Sequence, residues 1–448
     1  MTEVTSSSEL GDLWAMQGAE LAKQVALCAE GSAFYKKLWQ IKGVDPRSIR
    51  SLDDLDRLPL TSKNDFIGDP EAFRLQCPDL PLQERALWEV NYTTGTSGNP
   101  SPVYMTTHDY LSNMLVARRI SEIVGIRDTD VFANLFPVTP APMGSFSRSA
   151  PYAYAAGATV GAAMPGARFS DLQVKSSLDD AVRLVERHRS TVLWGVTSFV
   201  RRVIIRAAEL GADFSRVRIC GITGEASSPA MREDIRSRLR ALGACAIIFD
   251  RYGTTEVGAF AQCREEGDWH NPAPELLHLD IVDPESGSRL PDGERGALAL
   301  THLNRRGTVL LRYLAGDVAS LAHGACPHCG RIGDRLQGPI VRQSNIVKIK
   351  GMLVDSDILL DLLRSDPDVE EYQVVLRRQN ADDPFSMDEL VLRVSSATSD
   401  RVHLSGRLAE RTSHAVHVRP VIEIVELASS IYDPENESKP KRLVDLRK

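Results

Sequence analysis

Between about Ala86 and Val341, stretches with apolar residues at helical spacing alternate with short apolar runs: Val131-Phe132-Ala133-Asn134-Leu135-Phe136, Thr191-Val192-Leu193-Trp194-Gly195 and Ala246-Ile247-Ile248-Phe249. Short runs that are apolar throughout suit strands covered on both faces, and their alternation with helices is the signature of an α/β domain with a parallel sheet. The flanks differ. The first 60 residues read as helices, with Leu13 to Glu30 periodic and a capped start at Ser51-Leu52-Asp53-Asp54-Leu55. From Asp280 to Ala322, strand-like runs (Gly296 to Thr301, Val309 to Tyr313) are joined by turns such as Leu290-Pro291-Asp292-Gly293, which predicts an antiparallel β subdomain. From Ile346 onward, strands (Val369 to Arg377, Glu389 to Val394) and a helix (Ser405 to Ser413) predict a small α+β domain. A chain of 448 residues is too long for one core, so at least two domains are expected.

Composition narrows the classes. The net charge of −7 and the lack of a basic block argue against a nucleic-acid partner. No apolar stretch approaches the roughly 20 residues of a membrane helix; the run Tyr152 to Met164 is short and rich in Ala and Gly. The polar start, Met1 to Leu10, lacks an apolar signal core, and the seven cysteines are an odd count. Together these lead to the expectation of a cytoplasmic protein without a disulfide framework. Cys28, Cys77, Cys220 and Cys245 stand alone and read as small hydrophobes.

The run Tyr92-Thr93-Thr94-Gly95-Thr96-Ser97-Gly98-Asn99-Pro100 offers hydroxyls and backbone N–H groups in a tight curve, a shape suited to phosphate oxygens. It is not a Walker A loop, since no Gly-Lys-Ser/Thr ends it. Four further motifs follow in order: Gly224-Glu225-Ala226 after the apolar run Val217 to Ile222, then Asp250-Arg251-Tyr252-Gly253-Thr254-Thr255-Glu256, then Tyr313-Leu314-Ala315-Gly316-Asp317, and last Ser438-Lys439-Pro440-Lys441-Arg442-Leu443-Val444-Asp445. This series resembles the adenylate-forming (acyl-CoA synthetase) superfamily. Phe34-Tyr35, Gly43-Val44-Asp45, Leu58-Pro59-Leu60-Thr61-Ser62-Lys63, Cys329-Gly330-Arg331 and the basic C-terminal motif are similar to phenylacetate-CoA ligases in particular.

The resemblance implies a large N-terminal domain (1–342), a small mobile α+β lid (343–448), and two chemical steps. A carboxylate attacks the α-phosphate of ATP to give an acyl-adenylate and pyrophosphate; a thiol, CoA, then displaces AMP. Carboxylate and triphosphate repel each other, so the site must supply cations and hydrogen-bond donors. By resemblance, Thr93, Thr94, Gly95, Thr96, Ser97 and Gly98 hold the β- and γ-phosphates, and Glu256 holds Mg²⁺. Tyr252 and Gly253 border the adenine together with Gly224, Glu225 and Ala226. Thr255 approaches the α-phosphate or the substrate carboxylate. Asp317 accepts from both ribose hydroxyls, and Arg342 sits at the domain junction near ribose or phosphate. Lys439 bridges the α-phosphate and the acyl oxygen, with Lys441 as its competitor. Ser344 falls where the superfamily hinge is Asp or Lys, and Lys350-Gly351 where Arg-Gly is common. The loop carries Asn99 and Ser101 where Lys and Thr or Lys are usual. These departures keep other acceptors open, a carrier protein or an amine, and also a non-catalytic nucleotide-binding role.

The implied acid is aromatic or aryl-aliphatic, with pocket candidates near Phe136-Pro137, Trp194 to Thr197 and Gly253-Thr254; Trp194 and Phe136 read equally as core. No acidic residue for an α-amino group is evident. A homodimer is left open. Separately, Cys326-Pro327-His328-Cys329-Gly330 is half of a structural zinc site, and Cys263 and His270 are the best remaining ligands, with His278 and His328 as alternatives.

Overall fold

The computed structural model describes residues 7–93, 101–136, 144–164, 176–225, 227–342, 346–349, 352–380, 386–433 and 440–447. Helices Ser7–Gly31 and Ala33–Lys42 open the chain; Ser32 caps the second one, and Gly43 ends it in the left-handed region at φ 65°. Their apolar faces, through Leu21, Val25, Tyr35 and Trp39, pack on Val309, Leu310 and Tyr313, so the N-terminus is tied to a segment far along the chain. The capped start at Ser51 leads into a short 3₁₀ turn, Leu52–Arg57.

An antiparallel hairpin, β1 (Leu87–Tyr92) and β2 (Pro102–Thr106), comes next. The main sheet then begins with β3 (Val131–Asn134), β4 (Thr159–Ala162), β5 (Val192–Val196), β6 (Ile219–Thr223) and β7 (Ile247–Thr254). It continues with β8 (Gly258–Gln262), β9 (Trp269–His270), β10 (Leu277–Val282), β11 (Gly296–His302), β12 (Tyr313–Ala322) and β13 (Arg335–Arg342). Among the described residues these eleven strands form one sheet in the order β10-β11-β12-β13-β9-β8-β7-β6-β5-β3-β4. From β4 to β7 the pairings are parallel, and from β7 to β10 they are antiparallel. The antiparallel region foreseen from the turn sequences is therefore continuous with the parallel half, because β7 presents its free edge to β8. Helices Thr107–Val124, Leu178–Arg187, Thr197–Leu210 and Pro229–Ala241 share one apolar core with the parallel strands. This is the α/β class that the alternating pattern requires.

Beyond β13 lie the hairpin β14 (Ile346–Ile349) and β15 (Met352–Asp355), then β16 (Glu371–Arg378), β17 (Asp388–Ser395), β18 (Val421–Val425) and β19 (Leu443–Asp445). The last four form a sheet in the order β18-β17-β16-β19, covered by helices Ser356–Arg364 and Arg401–Val416. Leu359, Val374, Leu392, Leu404 and Leu408 belong to a core of their own. Among the described residues, no helix is long and apolar enough to cross a membrane.

One glycine is fixed by packing. Gly221 of β6 lies opposite Trp194 of β5, and a Cβ there would sit 2.0 Å from the indole. Gly221→Ala forces the fully buried Trp194 out of its place. The expected cost is about 1–3 kcal/mol, read as a lowered urea midpoint at unchanged slope.

Candidate active site

Strand β7 is the boundary of the parallel half, with β6 parallel on one side and β8 antiparallel on the other. Ligands of open α/β sheets bind beyond the carboxyl ends of their parallel strands. The chain leaves β7 through Tyr252, Gly253, Thr254, Thr255 and Glu256, so the residues of the third motif are delivered to that edge.

Across the sheet, β12 brings Asp317 to the same place. The Tyr252 hydroxyl donates to Asp317 Oδ2 at 2.6 Å, and Arg342 Nε lies 3.0 Å from Asp317 Oδ1. Asp317 and Arg342 are register partners on β12 and β13, and Arg342 Nη1 also donates to the Ala315 carbonyl at 3.0 Å. Burial pushes the Asp317 carboxyl up, against the opposing pull of Arg342 and the Tyr252 hydroxyl. Burial likewise pushes the Tyr252 phenol well above its ordinary range, reinforced by the adjacent Asp317 charge. The result is a buried acceptor held by one neutral donor and one cation.

Glu256 is buried, with Lys63 Nζ 3.7 Å and the Tyr313 hydroxyl 3.4 Å from its Oε1. Lys63 is a site residue that the motif reading did not single out. Its signal was present: it opens helix Lys63–Gly68 directly after Leu58-Pro59-Leu60-Thr61-Ser62, where Ser62 and Asp65 form a capping box.

Glu225 is placed differently from a base-lining side chain. Its carboxylate accepts from the Ser198 backbone N–H at 3.0 Å and from the Ser198 hydroxyl at 2.9 Å. Ser198 lies in the first turn of helix Thr197–Leu210, whose N-cap position is Val196 and supplies no side-chain acceptor. Glu225 therefore satisfies a helix start and interacts favourably with its dipole, and it pins the loop that begins at Gly224. The side chains of Tyr432 and Arg442 from the C-terminal sheet region lie within electrostatic reach of Glu225.

At the base of the Thr/Ser/Gly loop, Thr93 N–H donates to the Ser101 carbonyl at 3.0 Å and Ser101 N–H donates to Thr93 Oγ1 at 3.1 Å. Thr94, Gly95, Thr96, Ser97 and Gly98, together with Ala226, Ser344, Gly351 and Lys439, lie outside the described residues. A cavity of about 160 Å³ opens between Phe136, Thr223, Gly224, Gly253, Thr254 and Thr255. Gly253 is required there: a Cβ would come 2.7 Å from the Gly258 carbonyl. Trp194, a pocket candidate from sequence, is instead fully buried beneath the sheet face that borders the cavity.

A second cluster lies at the far side of the sheet. Cys263 at the end of β8, His270 on β9, and Cys326 and Cys329 on the turn between β12 and β13 have ligand atoms all within 4.8 Å of one another. Cys263 Sγ is 3.9 Å from Cys326 Sγ, and Cys329 Sγ is 3.6 Å from His270 Nε2. A tetrahedral zinc with Zn–S bonds of about 2.3 Å has edges of about 3.8 Å, close to these two distances. His278 is committed elsewhere, to Gln17 and Asp280 at 3.2 Å each, and His328 is exposed. Burial and the neighbouring Cys329 and Cys326 sulfurs push the Cys263 thiol up to about 12.

A cavity beyond the carboxyl ends of the parallel strands, a tyrosine and an arginine bracketing the buried Asp317, and a buried glutamate beside a lysine fit a nucleotide-binding α/β enzyme. The model of the family described as AMP-binding enzyme matches residues 20–304, so the chain belongs to that family. It is similar over almost its whole length to phenylacetate-coenzyme A ligases: 27% identical to that of Thermus thermophilus, covering 97% of each chain, and 25% identical to that of Escherichia coli, covering 98% of this chain and 96% of the relative. Among solved structures, a 2-hydroxyisobutyryl-CoA ligase in the postadenylation state with 2-HIB-AMP matches at a TM-score of 0.79 and 22% identity, over 99% of this chain and 91% of that one. The same ligase in its thioesterification state, with 2-HIB-AMP and CoA, matches at 0.65 and 23% identity, over the same shares of the two chains. These structural likenesses show the fold.

Replacing Glu225 by Ala removes the acceptor at the start of helix Thr197–Leu210. The expected loss is about 1 kcal/mol, seen as a lowered denaturation midpoint, with Glu225→Gln recovering part of it.

Proposed function

We propose that the chain is an ATP-dependent, AMP-forming carboxylic acid–CoA ligase that works through an acyl-adenylate, with an aromatic or aryl-aliphatic acid as substrate. The observation that carries this reading is the convergence of the Tyr252–Asp317–Arg342 bracket and the Glu256–Lys63 pair, with Tyr252 and Glu256 flanking the cavity-lining run Gly253 to Thr255. Family membership and the full-length similarity to phenylacetate-coenzyme A ligases support it.

In this reading Tyr252 packs against the adenine, and its hydroxyl holds Asp317 in place. Asp317, already ordered by two donors, accepts from the ribose hydroxyls without reorganising. Arg342 favours the charged form of Asp317 against its burial and marks the junction to the lid, residues 343–448. Thr93 and Ser101 anchor the phosphate loop through their paired hydrogen bonds. Glu256 fits a Mg²⁺ ligand: it is a buried carboxylate with a cation 3.7 Å away but no bidentate partner among the described residues. Mg²⁺ there would neutralise charge on the triphosphate. The acid lies in the cavity with its carboxylate at Thr255. Lys439 comes from the segment that precedes β19 and supplies the positive charge between the α-phosphate and the attacking oxygen. CoA then takes the acyl group and AMP leaves. Cys263, His270, Cys326 and Cys329 hold a structural zinc; all four positions are filled by the chain, which leaves no open site for chemistry.

ATP–pyrophosphate exchange across aryl, arylacetic and short aliphatic acids tests the first step. Exchange is expected with arylacetic or aryl acids, and its absence with every acid would overturn the reading. Lys439→Ala is expected to lower exchange by 10²- to 10³-fold, about 3–4 kcal/mol, while ATP binding persists; undiminished exchange would remove Lys439 from this role. Elemental analysis of gently purified protein should find one zinc per chain, lost in Cys326→Ser together with part of the thermal stability. Metal-free protein of the same stability would refute the zinc site.

A further inference from the structure

The floor of the cavity carries cations that the adenylation step does not use. Arg251 is the register partner of Thr223 and shares its sheet face with Gly253, two residues on. It borders the cavity, is 94% buried by its 6% relative exposure, and its guanidinium lies 4.4 Å above the Trp194 ring and 4.7 Å from the Tyr152 ring. Nη2 donates to the Tyr152 hydroxyl at 2.8 Å, but Nε and Nη1 are buried with no hydrogen-bond partner among the described residues. Arg148 also borders the cavity; Nη1 donates to the Thr255 carbonyl at 3.0 Å, Nη2 meets the Met105 sulfur at 2.9 Å, and its buried Nε is unpartnered. The lining supplies one carboxylate, Glu89, which accepts from the Ser147 hydroxyl at 2.9 Å. Asp250, next to Arg251 in sequence, faces Arg232 at 3.7 Å.

A buried guanidinium with unmet donors is costly, and stacking on two rings offsets only part of that cost. An all-apolar acid would bury these donors permanently. Arg251 lies three residues down β7 from Thr254, about 10 Å at 3.3 Å per residue, so it meets the end of the acid remote from the reacting carboxylate. The Tyr152 oxygen already accepts from Arg251, so its own proton is left to donate in the same direction. Gly253, between Arg251 and Thr255, also lines the cavity and adds no side chain to it.

We infer that the acid-binding cavity selects aryl acids carrying a second oxygen acceptor, a hydroxyl or carboxylate, at the end remote from the reacting carboxylate, through Arg251 and Tyr152. This rests on the acid-activating reading above and refines its substrate class.

The test is calorimetric binding of phenylacetate, 4-hydroxyphenylacetate and 4-carboxyphenylacetate to the full chain with a non-hydrolysable ATP analogue, with pyrophosphate exchange measured on the same samples. At least one substituted acid is expected to bind ten-fold or more tighter than phenylacetate. Arg251→Met should bring that ratio within about two-fold, Arg251→Lys should keep its direction, and Tyr152→Phe should lower it. Equal or tighter binding of phenylacetate by the wild type would overturn the inference. So would a loss in Arg251→Met or Arg251→Lys that falls equally on all three acids, since that is what a purely structural arginine gives. Preference without exchange would retain the subsite and remove the ligase reading; exchange without preference would do the reverse.

Discussion

The reversal of strand direction at β7 is the constraint on which the site depends. A strand that is parallel to β6 and antiparallel to β8 marks where the parallel half of the sheet ends. The antiparallel strands then bring β12 and β13 back so that Asp317 and Arg342 arrive opposite Tyr252. Residues separated by 65 positions meet through one hydrogen bond of 2.6 Å, and the geometry is set by sheet register rather than by loop conformation. Sites built on strands in this way hold their donors and acceptors in fixed directions, which is the requirement for stabilising charge that develops during reaction.

The same strand also divides labour between its faces. Tyr252 points to the bracket with Asp317, while Arg251 and Gly253 share the opposite face and border the cavity. Trp194 can lie flat under Arg251 only because Gly221 has no side chain beneath it. In the proposed function a nucleotide-facing residue and an acid-facing residue are thus adjacent in sequence and separate in contact, which lets the acid pocket vary while the nucleotide chemistry stays constant.

Much of this was legible in the sequence for identifiable reasons. Parallel strands announce themselves as short runs apolar on both faces, and the motif residues Tyr252, Glu256 and Asp317 carry chemistry that their neighbours lack. The Cys-x-x-Cys knuckle needed two distant ligands, and the structure brings Cys263 and His270 to it because β9 runs between β8 and β13. Other features are set by long-range packing and have no local signature. Glu225 is expected by resemblance to line the base, and its carboxylate accepts from Ser198 at the start of helix Thr197–Leu210. Lys63 reads as a helix-opening residue until the fold carries it to Glu256, 193 positions away by number. Arg251 reads as an ordinary charge inside a motif; only the burial between Tyr152 and Trp194 makes its unmet donors meaningful.

The central claim is that the Tyr252–Asp317–Arg342 bracket is the seat of the ribose. The most direct measurement is calorimetric binding of ATP, 2′-deoxyATP and 3′-deoxyATP to the wild type and to Asp317→Ala. The account predicts that the wild type loses ten-fold or more in affinity when a ribose hydroxyl is removed, and that Asp317→Ala binds all three nucleotides nearly equally. The same discrimination in both proteins would contradict it and place the ribose elsewhere.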